Sequence, residues 1–136
     1  MKDKDVAVLV LYDDQKRMLL QHRTSYKKRW AEYWGTFGGG IEEGEEIVDA
    51  LKREIHEELG HAAQNPILVF SQKLNFDTKH VFVEFYDGVQ ELTLNKEESQ
   101  NMGWFTMEEL LGLQVIPHDI DALKKVAEYI IIAEIV

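Results

Sequence analysis

The chain has no cysteine and only two prolines among its 136 residues. Without cysteine it can contain no disulfide scaffold, thiolate metal site or cysteine nucleophile. The few prolines and the 45% share of hydrophobic residues are typical of a folded chain and argue against disorder. A chain of this length can bury a hydrophobic core without disulfide bonds or other cross-links. We expect residues 1–136 to form one domain.

The sequence also lacks a long hydrophobic run and an excess of positive charge. No run approaches the roughly 20 apolar residues that span a bilayer. The early run over residues 6–12 has neither the basic segment nor the cleavage site of a secretory signal, so we expect a cytoplasmic protein with no membrane contact. The formal charge of −10 argues against binding to polymeric nucleic acid. It leaves a small phosphorylated ligand open, because a bound cation reverses the local charge.

The order of the apolar patterns predicts a mixed α/β protein. A helical period over residues 45–59 predicts a helix that ends at Gly60 and buries one stripe, namely Ile47, Val48, Leu51, Ile55 and Leu59. A capping box at residues 106–109 predicts a short helix, and a terminal helix is expected over residues 119–133. Strands are predicted over residues 6–12, 17–22, 34–37, 67–76, 80–87 and 104–105. Strands and helices do not alternate strictly, which favours a mixed sheet covered by helices over a doubly wound parallel sheet.

Four glycines precede the first predicted helix, at Gly38, Gly39, Gly40 and Gly44. Glycine lets the backbone approach a ligand closely. Backbone N–H groups near the beginning of a helix can also bind an anion. Taken alone, the same glycines fit a plain turn between a strand and a helix equally well.

Three glutamates near the end of that helix share one face, because Glu57 and Glu58 follow Glu54 by three and four residues. Glu54 and Glu58 point close to the direction of Leu51, so the cluster borders the buried stripe. Mutual repulsion, the negative end of the helix dipole and partial burial all disfavour these charges. A hard divalent cation with oxygen ligands would relieve all three penalties. The alternative interpretation is a solvated acidic patch.

Arg53 lies eight residues after Glu45, and it either pairs with that glutamate or is an ordinary exposed arginine. With this arginine, the segment resembles the 23-residue signature of the Nudix hydrolase superfamily. The matching residues are Gly39, Glu45, Arg53, Glu54, Ile55, Glu57, Glu58 and Gly60. His61 departs from the aliphatic residue usual at the last position, and Phe37 replaces the proline that often precedes the glycines. The resemblance implies an α/β Nudix fold, a mixed β-sheet sandwiched between helices (α/β/α).

The resemblance also implies the chemistry. Nudix enzymes hydrolyse a nucleoside diphosphate linked to another moiety, and they use a divalent cation, Mg²⁺ or alternatively Mn²⁺. A bound cation neutralises the pyrophosphate oxygens and lowers the pKa of water. The implied metal ligands are Glu54, Glu57, Glu58 and the carbonyl of Gly38 or Gly39.

Two further roles follow from the same resemblance. Arg53 and Glu45 become the implied structural pair. In some family members a glutamate before the last strand completes the site or acts as the base; Glu98 matches best, and Glu97 is the alternative. Either Glu54 or Glu98 would then take the proton of the attacking water, and the sequence leaves that choice open.

The substrate is less constrained than the family. Residues 76–78 carry neither the proline nor the tyrosine that marks the ADP-ribose and dinucleoside polyphosphate subgroups. By exclusion we expect a small-molecule nucleotide, a nucleoside triphosphate or modified dNTP, with release of pyrophosphate. Arg23, Gly39 and Gly40 are expected to bind it, whereas residues 27–29 fit phosphate binding or a solvated loop. The alternatives are a nucleotide-sugar, ADP-ribose or dinucleoside polyphosphate hydrolase and a non-catalytic nucleotide-binding module.

Two other features have two interpretations each. Tyr33, Trp34, Phe37 and Phe76 fit either base stacking or core packing. The isoleucine-rich end, residues 129–136, fits either the core or a homodimer contact. If the acidic helix were only a surface, the chain would be a structural or interaction protein.

Overall fold

A seven-stranded mixed sheet is the centre of the computed structural model, which describes residues 4–135, with the backbone alone for Ile135. The strands are β1 (Val6–Tyr12), β2 (Met18–Arg23), β3 (Trp34–Gly35), β4 (Phe37–Gly40), β5 (Ile67–Lys73), β6 (Thr78–Phe85) and β7 (Ser99–Phe105). The helices are α1 (Ile47–Leu59), α2 (Met107–Leu110) and α3 (Pro117–Ile135).

The central strand β1 brings the glycines and the beginning of β6 together. It pairs in parallel with β6 over its whole length, from Val6 opposite Lys79 to Tyr12 opposite Phe85. It pairs antiparallel with β4, where Val6 lies opposite Gly40. On one side β2 pairs with β3 and β7, and on the other side β5 pairs with β6. The glycines of β4 and the first residues of β6 therefore meet at the amino-terminal end of β1.

Alternate side chains of β1 enter two separate hydrophobic cores, as the two faces of a buried strand must. One core contains Val8 and Val10 together with residues of α2 and α3. The other core contains Leu9 and Leu11 together with residues of α1. The predicted α/β architecture, a mixed sheet between helices, is confirmed.

Helix α1 is shorter at its beginning than the periodicity predicted. Leu51, Ile55 and Leu59 are at most 1% exposed, but Ile47 and Val48 are 36% and 38% exposed, so the predicted stripe is wrong over its first turn. The helix joins the core only from Ala50 onward, because its first turn extends beyond the side chains of that core. Its end is as predicted: Gly60 has φ of 65° and donates its N–H to the carbonyl of His56.

Strand β7 and helix α3 both begin earlier than predicted. Residues 99–103 were expected to be a loop, yet they pair with β2 from Arg23 opposite Ser99 onward. The apolar pattern of the sequence does not reveal this part of the strand, because its side chains are mostly polar. Ser99 is buried although it is polar, and its hydroxyl donates a hydrogen bond to Gln21. Helix α3 begins at Pro117, a residue that suits the first turn because it has no N–H to leave unpaired. The capping box is confirmed, with Thr106 and Glu109 bonded in both directions.

The isoleucine-rich end of the chain is divided between core and surface. Ile130 is 1% exposed, whereas Ile131 and Ile132 are 51% and 59% exposed. Val136 lies outside the described residues. No helix between residues 4 and 135 is long and apolar enough to cross a membrane.

His61, which stands where the signature has an aliphatic residue, is buried in a polar contact. Its exposed fraction is 3%, and its Nε2 lies 2.8 Å from Oε2 of Glu84. The other oxygen of Glu84 accepts hydrogen bonds from the backbone N–H groups of Gln64 and Asn65, at 2.9 and 2.6 Å. Glu84 therefore fastens the segment after α1 to strand β6, and a hydrogen-bonded pair replaces the packing of an aliphatic side chain.

We expect Glu84→Leu to lower the free energy of unfolding by about 2–4 kcal/mol, because it leaves His61 and two backbone N–H groups without a partner. Urea denaturation followed by tryptophan fluorescence measures the change. Glu91→Leu, at an exposed acid, is the matched control and should change stability little. Equal stability of the two variants would contradict the structural role of Glu84.

Candidate metal and nucleotide site

A buried carboxylate connects α1 to the glycine strand β4. Oε1 of Glu58 accepts a hydrogen bond of 2.8 Å from the backbone N–H of Gly38, and Glu58 is only 6% exposed. Gly38 has φ of 147°, and a Cβ built there would lie 2.2 Å from the carbonyl oxygen of Ala7. A Cβ on Gly39 would lie 2.4 Å from Cδ of Glu54. Gly38 is therefore required by the close approach of β1, and Gly39 by the carboxylate of Glu54.

Arg53 joins the glycine strand, the following loop and the helix. Its Nε and Nη2 donate to the two oxygens of Glu45 at 2.9 and 3.0 Å, so the pair anticipated from the spacing forms. Nη2 also donates to the carbonyl of Gly40 at 3.1 Å, and Nη1 donates to Glu54 at 2.9 Å. The hydrogen bonds from Arg53 lower the pKa of Glu45 to about 2, and those to Glu45 and Glu54 raise the pKa of Arg53.

Glu58 carries an unbalanced charge when it is ionised. Burial raises its pKa to about 8, and the neighbouring charges of Glu54 and Glu98 add to this increase, whereas the N–H of Gly38 opposes it. Gln21 helps only weakly, since its Nε2 lies 3.4 Å from Oε2 of Glu58. A positive charge at this place would therefore stabilise the ionised carboxylate.

The other two acids of the cluster lie close by but are more exposed. The side chain of Glu54 is 19% exposed, and that of Glu57 is 56% exposed, with its Oε1 3.7 Å from Nη1 of Arg53. Within residues 4–135, no three acidic or histidine side chains already surround one point as metal ligands. The donor set nevertheless fits a hard divalent cation, because it consists of carboxylate oxygens, one of them buried without a full counter-charge.

Glu98 lies within electrostatic range of Glu58, since its charge contributes to the raised pKa of that residue. Its Oε2 is 2.6 Å from Nζ of Lys27. Lys27, for which the sequence left phosphate binding open, is thus paired with an acid. The backbone carbonyl of Glu97 accepts a hydrogen bond from the hydroxyl of Tyr26, so two contacts hold the loop of Glu98 against the loop after β2.

A cleft of about 1050 Å³ opens beside Gly38 and Gly39. Its lining includes four basic residues, Arg23, Arg29, Lys73 and Lys79, and two acidic ones, Asp77 and Asp119. This local excess of positive charge contrasts with the formal charge of −10 of the chain. It makes the cleft suitable for an anionic ligand.

The aromatic residues divide between the core and this cleft. Phe37 is 1% exposed, and Trp34 stacks on the ring of His22, so both serve packing. Phe76 is 79% exposed and lines the cleft. Trp30, which the sequence did not single out, also lines the cleft, with a backbone φ of 55° that a non-glycine residue rarely adopts.

Sequence reasoning also missed a buried ion pair and a buried amide. Nζ of Lys79 lies 2.5 Å from Oδ1 of Asp119, and the two side chains are 2% and 4% exposed. The sequence gives no clear signal for it, because Lys79 stands between two polar residues at the beginning of β6. Gln21 is 5% exposed and donates to the carbonyl of Thr36 at 2.7 Å as well as to Glu58. Nothing in the local pattern distinguishes it from a surface glutamine.

Taken together, the fold and the site define a mixed α/β protein with an acidic cluster beside a basic cleft. The family model of the NUDIX domain matches residues 1–128. The chain belongs to the Nudix hydrolase family, whose members act on phosphoric anhydride bonds and generally need divalent metals.

Individual relatives agree with this membership. The chain is 28% identical over 119 residues to an uncharacterized Nudix hydrolase of Listeria monocytogenes. The matched segment covers 80% of this chain and 67% of the relative. It is 27% identical over 113 residues to an RNA pyrophosphohydrolase of Bartonella bacilliformis, over 70% of this chain and 66% of the relative. The chain thus spans about two thirds of these relatives' length. The crystal structure of a MutT NUDIX hydrolase from Burkholderia pseudomallei has the same fold, with a TM-score of 0.80 at 22% identity over 93% of this chain and 99% of the other.

The raised pKa of Glu58 predicts a pH-dependent stability of the protein in chelator. The unfolded chain ionises Glu58 near its ordinary pKa of 4.5, but the folded chain keeps the proton up to about pH 8. The contribution of this group is therefore fully present below pH 4.5 and is lost as the pH rises toward 8. The free energy of unfolding falls by at most about 1.4 kcal/mol per pH unit over this range.

We expect Glu58→Gln to remove this loss, so that the variant is more stable than the parent at pH 8 and similar to it at pH 5. Chemical denaturation in EDTA at the two pH values measures the difference. Glu57→Gln, at a more exposed acid of the same cluster, should follow the pH dependence of the parent. The prediction is wrong if the parent and Glu58→Gln lose the same stability between pH 5 and pH 8.

Proposed function

We propose that this chain, as a single domain, is a divalent-metal-dependent pyrophosphohydrolase that cleaves a nucleoside triphosphate or modified dNTP and releases pyrophosphate. The observation that supports it is the position of a buried, undercompensated carboxylate, Glu58, at a glycine strand that also borders a basic cleft. An acidic cluster alone repels a polyphosphate, and a basic cleft alone only binds it. Side by side, they suit a substrate whose phosphates are bridged to carboxylates by a cation.

The residues that would hold Mg²⁺, or Mn²⁺ in its place, are Glu54, Glu57 and Glu58, with the carbonyl of Gly38 as a further donor. The bound cation would neutralise phosphate oxygens and lower the pKa of water at the site. Glu58 is held in place by the N–H of Gly38 and by Gln21. Glu54 is held by Arg53, which Glu45 in turn positions.

The geometry favours Glu98 over Glu54 as the group that takes the proton from water. Glu54 already engages Arg53 through Oε1 and lies against Gly39. Glu54 is in addition a proposed metal ligand, whereas Glu98 is half-exposed on a loop and contacts Lys27 through Oε2. Arg53 and Glu45 then act as positioning residues, because Arg53 binds Glu45, Glu54 and the carbonyl of Gly40 and so holds the loop against the helix.

The cleft supports a mononucleotide substrate. Arg23, Gly38 and Gly39 all line it, and we assign Arg23, with the backbone of Gly39 and Gly40, to the phosphates. The aromatic rings of Trp30 and Phe76 also line the cleft, and we assign them to the base. A volume of about 1050 Å³ is close to the upper end of the usual range for small-molecule sites.

We expect Glu57→Gln to lower turnover by at least about 100-fold with Mg²⁺, because it removes a proposed metal ligand. Phosphate and pyrophosphate release is measured on dNTPs, oxidised dNTPs, ADP-ribose, nucleotide sugars, dinucleoside polyphosphates and 5′-triphosphorylated RNA. Glu46→Gln, at an exposed acid just before α1 that makes no side-chain capping bond, is the matched control and should retain activity. A Glu57→Gln variant as fast as the parent would contradict the ligand assignment, and a parent that prefers another substrate class would replace the proposed substrate.

Glu98→Gln should lower kcat by about 100-fold or more and abolish the rise of kcat with pH, because it removes the proton acceptor. The Mg²⁺ concentration for half-maximal activity should stay close to that of the parent. Glu54→Gln should instead raise that concentration. If Glu98→Gln keeps the pH profile of the parent, the base is Glu54.

A further inference from the structure

The cleft is lined by a lysine whose donors are all used by the protein. Nζ of Lys79 lies 2.5 Å from Oδ1 of Asp119, 2.7 Å from Nδ1 of His118 and 3.4 Å from the carbonyl oxygen of His118. The side chain of Lys79 is 2% exposed. An ammonium group has three donors, so Lys79 binds these partners instead of presenting a free charge to a ligand.

The carboxylate of Asp119 is occupied in the same way. Besides Lys79, it accepts from the backbone N–H of Thr36 at 3.1 Å and from the hydroxyl of Thr36 at 3.3 Å. Its Oδ2 lies only 3.0 Å from the position that a Cβ on Gly35 would take, so the backbone closes that side. Three of about four acceptor positions are therefore filled, and Lys79 balances the charge. With a side chain that is 4% exposed, Asp119 has at most one acceptor position left for a base.

Of these three residues, only His118 has a side chain that is substantially exposed, and it lines the cleft. Nδ1 accepts from Lys79, so the proton of the neutral ring is on Nε2. Burial and the charge of Lys79 both lower the pKa of His118, which keeps the ring neutral at neutral pH. The side chain is 34% exposed, lines the cleft and lies 6.4 Å from the ring of Trp30. The ring therefore offers an N–H donor in the cleft.

We propose that the cleft selects nucleotides whose base presents a keto oxygen to Nε2 of His118, and that Lys79 sets this preference by occupying Asp119 and fixing the tautomer of His118. This inference rests on the proposed function only in placing a nucleotide in the cleft. A base that presents an amino group here would bring two donors together and leave both unpaired. The expected discrimination is about tenfold or more in affinity.

The experiment measures binding of nucleoside monophosphates by isothermal titration calorimetry, so that it does not depend on hydrolysis. UMP is compared with CMP, and IMP with AMP, because the members of each pair differ by a keto group in place of an amino group. We expect the keto member to bind about tenfold more tightly in at least one pair. His118→Phe keeps a planar ring without the donor and should bring the two affinities together.

Two more variants separate the tautomer from the ring. Lys79→Met with Asp119→Asn removes both charges of the buried pair together, which avoids an unpaired buried carboxylate. Because Nδ1 then has no fixed donor, His118 can present either tautomer, and the keto preference should weaken. His56→Phe, at an exposed histidine of α1, is the matched control and should keep the preference of the parent.

The possible failures can be told apart. Equal binding of both members in both pairs, no binding of any monophosphate, or a preference that survives His118→Phe would overturn the inference. Selective binding by a protein that hydrolyses no nucleoside triphosphate would overturn the proposed function and leave the inference standing. Hydrolysis of a nucleoside triphosphate without any keto preference in binding would support the proposed function and overturn the inference.

Discussion

The hydrogen bond from Gly38 to the buried carboxylate of Glu58 is the interaction on which the site depends. It joins the last turn of α1 to strand β4, and only a glycine fits at position 38, because Ala7 and Val8 of β1 approach it closely. One N–H cannot compensate a buried negative charge, since burial outweighs it in the raised pKa of Glu58. The fold therefore maintains a carboxylate that gains from a proton or a cation, and hydrophobic packing of Ile55 and Leu59 holds it there.

Charge separation over a short distance is the second constraint. Arg53 is committed to Glu45, Glu54 and the carbonyl of Gly40, so it stiffens the acidic cluster and does not neutralise it fully. On the other side of the glycines, basic side chains collect in the cleft. The glycine strand thus separates a negative region from a positive one, and its backbone borders both. A ligand with phosphates at one end and an apolar base at the other matches this order.

What the sequence could predict depended on how local each feature is. The contact of Arg53 with Glu45 spans only eight residues, and that spacing made it foreseeable although Glu45 lies in the loop before α1. The contact of Lys79 with Asp119 spans 40 residues, and it exists only because β6 pairs in parallel with β1 and α3 packs on the same face. Strand β7 was predicted too short because a buried polar pair, Ser99 with Gln21, replaced the apolar alternation that reveals a strand. The signature motif contains the proposed metal ligands, but it contains none of the residues that are proposed to contact the base.

Buried hydrogen bonds nevertheless connect Asp119 of the ion pair to Glu58 of the acidic cluster. Asp119 accepts from the N–H and hydroxyl of Thr36, the carbonyl of Thr36 accepts from Gln21, and Gln21 donates onward to Glu58. Thr36 lies between β3 and β4, directly before Phe37 and the glycines, so its position sets the beginning of the glycine strand. A shift of the ion pair would have to move Thr36 or break its bonds, and either change would reach Glu58. The spacing between the ion pair and the carboxylates is therefore determined by backbone and buried side chains, as the proposed reaction at one phosphate of a nucleotide requires.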